Sequence, residues 1–175
     1  MPRPSSLTVM SALLSLGLAL PADVAFAQQT TRTLREQLIG TWTFVVTEAS
    51  LPDGKKLRPF GDTPKGMLIF TDDGRFSSVQ VAAGIPKFAS NSRVTGTAEE
   101  NAAVVKGSIA LFGNYTVDEA TKTVTYKVES STFPNWEGAE QKRPVESVSG
   151  DELRFGNPGG SIQGATTLNI WKRAK

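Results

Sequence analysis

The chain has 175 residues, a formal net charge of +2, and neither cysteine nor histidine. Without histidine there is no imidazole base, no histidine-bearing triad and no His-bound zinc or copper; without cysteine there is no thiolate nucleophile, disulfide or cysteine-held metal cluster. With 39% hydrophobic and 21% charged residues the composition is that of a globular domain, and its basic residues are spread along the chain, clustering no further than pairs such as Lys55-Lys56 and Lys172-Arg173, not in the stripe interleaved with aromatics that nucleic acid requires.

From the N-terminus, Arg3, the apolar run Leu7 to Leu20, the breaker Pro21 and Ala25-Phe26-Ala27 stand in the order of a secretory signal ending in an A-x-A cleavage site. The apolar run falls short of the roughly 20 residues that a membrane span needs. No cysteine follows it to carry a lipid anchor. The expectation is a signal peptide over residues 1–27 and one domain over 28–175, secreted and, lacking disulfides, placed in a periplasm-like compartment, with no integral membrane segment after cleavage. Removing the signal takes one base, Arg3, and one acid, Asp23, so the net charge is unchanged.

Thr33-Leu34-Arg35-Glu36 has the capping-box pattern and predicts a short helix stopping at Gly40. Residues Thr41 to Glu48 then alternate with period two, which puts Trp42, Phe44 and Val46 on one face and Thr41, Thr43 and Thr47 on the other. A turn at Asp53-Gly54, a strand from Met67 to Thr71, a tight turn at Asp72-Asp73-Gly74 and a strand from Arg75 to Ala82 follow. A loop-like stretch leads to a second capping box, Thr97-Ala98-Glu99-Glu100. It opens a helix over Ala98 to Val105, with Gly107 expected just beyond its end. Strands are predicted from Ile109 to Val117, Lys122 to Ser130, Lys142 to Ser149, Glu152 to Phe155 and about Ala165 to Arg173. Eight strands joined mostly by hairpins suit an all-β, eight-stranded antiparallel up-and-down barrel, in which closure removes the exposed edges. One short helix precedes it, and one is inserted between strands 3 and 4, either as a lid over the barrel mouth or simply packed on it.

Gly40-Thr41-Trp42 after a short helix resembles the G-x-W signature of the lipocalins, and Trp171-Lys172-Arg173 resembles their C-terminal arginine. More specifically, the chain is similar to the bacterial and fungal lipocalin-like domain family. The matching stretches are Leu38 to Trp42, Gly66 to Phe70 with Asp73-Gly74, Phe112 to Asp118, Phe133 to Trp136 with Gly138, and Gln141 to Pro144. The resemblance implies a lipocalin-like, calycin-type barrel. It also implies that Arg173 packs over Trp42 at the closed end, so Gly40, Trp42, Trp171 and Arg173 are expected to be structural. The family carries no single established reaction. Tyr126 stands where members often have histidine, which puts any imidazole-dependent activity of relatives in doubt for this chain.

Strand alternation places several polar groups on the core face: Ser78 and Gln80 with Phe76, Tyr126 with Val124 and Val128, Arg143 with Val145, and Tyr115 with Leu111, Gly113 and Val117. Eight strands enclose just enough room for side chains or one small ligand. Gln80, Tyr115, Tyr126 and Arg143, with Trp136 at the rim, are therefore the candidate ligand-binding residues. A buried Arg143 must be paired, and a ligand carboxylate or an internal Glu would serve. The favoured reading is a binding protein for a small hydrophobic or amphipathic molecule, with no cofactor and no metal. A metal-free cyclase or isomerase using the shape of the pocket, a tyrosine and a carboxylate or arginine is the alternative, and a structural barrel with a filled core is the third. Catalytic residues, the ligand's identity and the oligomeric state are not assigned.

Overall fold

The structure, a computed structural model, describes residues 32–162 and 164–175, so the segment read as a signal lies outside the described residues. Helix α1 spans Leu34–Leu38, and both halves of its capping box form: the Thr33 hydroxyl accepts from the Glu36 N–H, and the Glu36 carboxylate accepts from the Thr33 N–H. Leu34 and Leu38 turn inward. The chain then enters β1, Gly40–Ser50, through Gly40, whose φ of +122° is one that L side chains rarely adopt. A Cβ there would also stand 3.1 Å from Arg173 Nη1, so a larger residue would in addition have to displace that guanidinium slightly.

The remaining strands are β2 (Lys56–Leu57), β3 (Lys65–Phe70), β4 (Arg75–Val81), β5 (Ser108–Asp118), β6 (Thr123–Ser131), β7 (Glu140–Val148), β8 (Glu152–Asn157) and β9 (Thr166–Arg173). From β3 onward each strand pairs antiparallel with the next in chain order, β3 pairs on its other side with β1, and β9 returns to β1, which closes an eight-stranded barrel. The two-residue β2 only extends the far end of β1, pairing with Ala49 and Ser50. It is too short to show alternation in the sequence. Helix α2, Ala98–Gly107, joins the third and fourth barrel strands and carries a complete capping box of Thr97 and Glu100. Gly107 is its last residue, not a left-handed residue beyond it. The space for a side chain there is taken by Ile85, 3.0 Å from where a Cβ would lie, and the chain passes straight into β5.

The two ends of the barrel differ. At one end α1 acts as a plug tied to the hairpin turns. The carboxylate of Glu119 accepts from the N–H groups of Leu34 and Arg35, Arg35 donates to the Asp72 carbonyl, and Arg173 donates to the carbonyls of Gly150, Ile39 and Gln37. The Arg173 guanidinium lies 4.1 Å from the Trp42 ring centre, while the Trp42 indole N–H donates to the Leu38 carbonyl. The core fills this half with Leu38, Trp42, Leu68, Phe70, Val124, Leu153 and Trp171, all essentially inaccessible to solvent. Trp171 takes no part in the arginine stack; it lies against Phe44 and Phe155. At the opposite end the longer connections gather, and there the barrel is hollow.

Candidate functional site

The hollow end holds a cavity of about 530 Å³. Its walls come from strand ends and from every connection at that rim: Phe60 between β2 and β3, Val104 and Val105 of α2, Phe133 and Trp136 of the β6–β7 connection, and Ile162 between β8 and β9. Apolar groups dominate. The polar groups are concentrated on the strands, where Thr47, Gln80, Asn157, Thr167 and Asn169 face the cavity and Lys106 stands at its edge. Asn169 is the hub of this ring. Its Oδ1 accepts from the Thr47 hydroxyl at 2.7 Å and from Gln80 Nε2 at 3.2 Å.

Below it lies a second chamber of about 30 Å³, bordered by Ser78, Tyr126, Arg143, Phe155 and Trp171. Gln80, Trp136, Asn157 and Asn169 border both spaces and form the partition between them. Arg143 is 4% exposed. Its guanidinium carbon sits 4.7 Å from the ring centre of Tyr126, 5.9 Å from Phe155 and 6.0 Å from Trp136, an aromatic cage for a cation. Its Nη2 donates to Gln141 Oε1, while its Nε has no partner among the described residues. Tyr126 in turn stacks on Phe76 with ring centres 3.9 Å apart. Burial pushes the Tyr126 hydroxyl far above its ordinary range, and the attraction of Arg143 offsets only part of this. Burial likewise pushes Arg143 downward, opposed by Tyr126. Tyr126 is thus a neutral phenol and does not supply a countercharge.

Of the candidate residues, the structure brings Gln80, Tyr126, Trp136 and Arg143 together around the lower chamber. Tyr115 is elsewhere: it is buried at the plugged end, donates its hydroxyl to the Thr71 carbonyl, and lies beneath the Arg35 guanidinium, bordering neither cavity. Alternation gave its face correctly but not its height in the barrel. Thr47 was expected on the outer face and points inward instead, because a bulge between Phe44 and Val46 reverses the phase of β1. Asn157, Thr167 and Asn169 were missed. Their signal was present in the sequence, since Thr167 and Asn169 share a face with Trp171, and Asn157 shares one with Leu153 and Phe155.

No carboxylate borders either cavity among the described residues, so of the groups named for the cyclase or isomerase alternative the lower chamber holds Tyr126 and Arg143. The internal Glu considered as a partner for Arg143 is likewise not among the groups bordering its chamber. No cluster of three or more acidic side chains among the described residues could hold a metal ion. No helix among the described residues is long and apolar enough to cross a membrane. The arrangement can enclose an apolar body, orient it through Asn169, Gln80 and Thr47, and present one caged cation at its floor.

The model of the lipocalin-like domain family matches residues 39–174. The 4'-hydroxy-3'-methoxypropiophenone carrier protein of Aspergillus oryzae is 34% identical over 78 residues, which cover 41% of this chain and 69% of that protein. Among solved structures, a redesigned β-barrel aligns over 82% of this chain and 96% of its own at 12% identity, with a TM-score of 0.42. The bovine odorant-binding protein in complex with a selenium-containing odorant aligns over 85% and 76% at 13% identity, with a TM-score of 0.41.

Proposed function

The chain belongs to the lipocalin-like domain family, and on that footing we propose that it binds a small, partly apolar molecule in the mouth of its barrel and serves as a carrier for it. The observation that carries this reading is the cavity of about 530 Å³ with its apolar walls and strand-borne polar ring. That volume lies within the range of about 300–1,000 Å³ common to small-molecule sites, which likewise combine apolar walls with a few placed polar groups. The A. oryzae relative, a carrier by name for a small aromatic ketone, supports a ligand of that size class. Burial of the ligand's apolar surface supplies most of the affinity, at about 25 cal/mol per Å², and the Asn169 ring fixes its orientation. The proposal extends to place. The signal-like order of Arg3, Leu7 to Leu20 and Ala25-Phe26-Ala27 supports secretion with cleavage after Ala27, so the mature protein recovered from a periplasmic fraction is expected to begin at Gln28 by intact mass.

The test of binding is titration with Nile red, a neutral fluorophore that brightens in apolar surroundings, together with native mass spectrometry of the purified protein. One equivalent of dye per chain, displaceable by small aromatic ketones, is expected. Absence of uptake at saturating dye would overturn the proposal.

A further inference from the structure

We infer that the ligand is a monoanion, an amphipathic carboxylic acid whose carboxylate descends through the partition to Arg143 while its apolar body stays in the mouth cavity. The inference rests on the ligand-binding reading and adds the charge and polarity of the guest.

It starts from an imbalance. Arginine keeps its proton under all ordinary conditions, so Arg143 brings a positive charge to a position 4% exposed. Buried charges are ordinarily paired, because an uncompensated one is strongly destabilising. The five ion pairs found among the described residues involve Arg58, Arg75 and Arg154, and no acid borders the chamber of Arg143. The aromatic cage compensates in part, yet an indole or phenol face is a weak substitute for a carboxylate.

Hydrogen-bond capacity has the same bias. The buried polar atoms left without partners among the described residues are Gln141 Nε2, Arg143 Nε, Trp171 Nε1 and Asn157 Oδ1. Arg143, Trp171 and Asn157 border the lower chamber, and Gln141 holds the Arg143 guanidinium. Donors therefore outnumber acceptors around it, and its complement is a group rich in acceptors. The chamber, at about 30 Å³, has room for one or two water-sized groups, enough for a carboxylate and too little for a ring. The Gln80, Trp136, Asn157 and Asn169 partition connects it to a cavity many times larger and mostly apolar. A head of that size and charge attached to an apolar body matches the two spaces in order.

The experiment compares two probes that differ only at the head, 1-pyrenebutyrate and 1-pyrenebutanol, titrated at pH 7 into the full protein while pyrene fluorescence is followed. Tighter binding of the acid, by about tenfold or more, is expected from replacing a neutral head with a charge-assisted pair. In Arg143→Met the ratio of the two affinities is expected to fall to near one. The wild-type comparison stands without the variant if the variant does not fold. Equal affinities in the wild type, or an unchanged ratio in Arg143→Met, overturn the anionic guest while leaving the binding proposal intact. Binding of neither pyrene probe nor Nile red overturns both.

Discussion

Tyr126 and Arg143 set each other's properties by being buried together. Because burial raises the Tyr126 hydroxyl, the folded protein holds that proton more tightly than the unfolded chain does. The stability this contributes is complete below the ordinary tyrosine value of about 10 and is lost as the pH rises above it towards the folded value. Urea midpoints are thus expected to fall above pH 10, and Tyr126→Phe, which keeps the ring on Phe76, is expected to flatten that decline; equal slopes in the two proteins would contradict it. At the plugged end, Arg173 bonds three carbonyls and covers Trp42. Arg173→Met is expected to cost about 2–4 kcal/mol in urea unfolding, the cost of several charge-assisted bonds and a cation–π contact. At this scale alternation identified the inward-facing Gln80, Tyr126 and Arg143, because a side chain's face follows from period two alone. It could not separate Tyr115 from them, because depth along a barrel depends on register and strand tilt, which a single strand's pattern does not contain.

Elements differ in how much of their stability is local. In α2, among its described residues, only Gly107 is buried, and Val105 on the cavity rim is 77% exposed. Such a helix depends on its caps. Thr97→Ala removes the hydroxyl that accepts from the Glu100 N–H and is expected to destabilise α2 by about 1 kcal/mol. Hydrogen exchange is expected to speed up in residues 98–107 and to stay unchanged in the β1 and β9 amides, with Nile red dissociating faster from the variant. Uniform exchange changes across the barrel, or none in α2, would count against α2 as an independently opening wall. Both capping boxes were legible because they are short-range patterns of four residues. The β1 bulge was not, since it is imposed by pairing with β9 over a long separation in sequence. Its consequence is chemical as well as geometric: it moves Thr47 into the ring around Asn169.

Over the whole molecule, the barrel divides its labour between its ends. The N-terminal helix, the G-x-W segment and Arg173 weld one end shut, and the core of large aromatic and aliphatic side chains fills that half. The other end spends its four connections on enclosing space. The closed sheet and its strand order were legible from hairpin signals and from the family resemblance, whereas the division into filled and hollow halves depends on how far each connection folds over the rim, which local sequence does not encode.

The most direct test of the carrier reading is to fill the hollow end from outside the barrel wall. Val104 borders the cavity from α2, so Val104→Trp adds bulk there without altering a strand. With wild-type circular dichroism retained, one-to-one Nile red binding is expected in the wild type and at least about tenfold weaker binding in Val104→Trp. Dye uptake that is equal in the two proteins, or absent from the wild type, would contradict a ligand site in the barrel mouth.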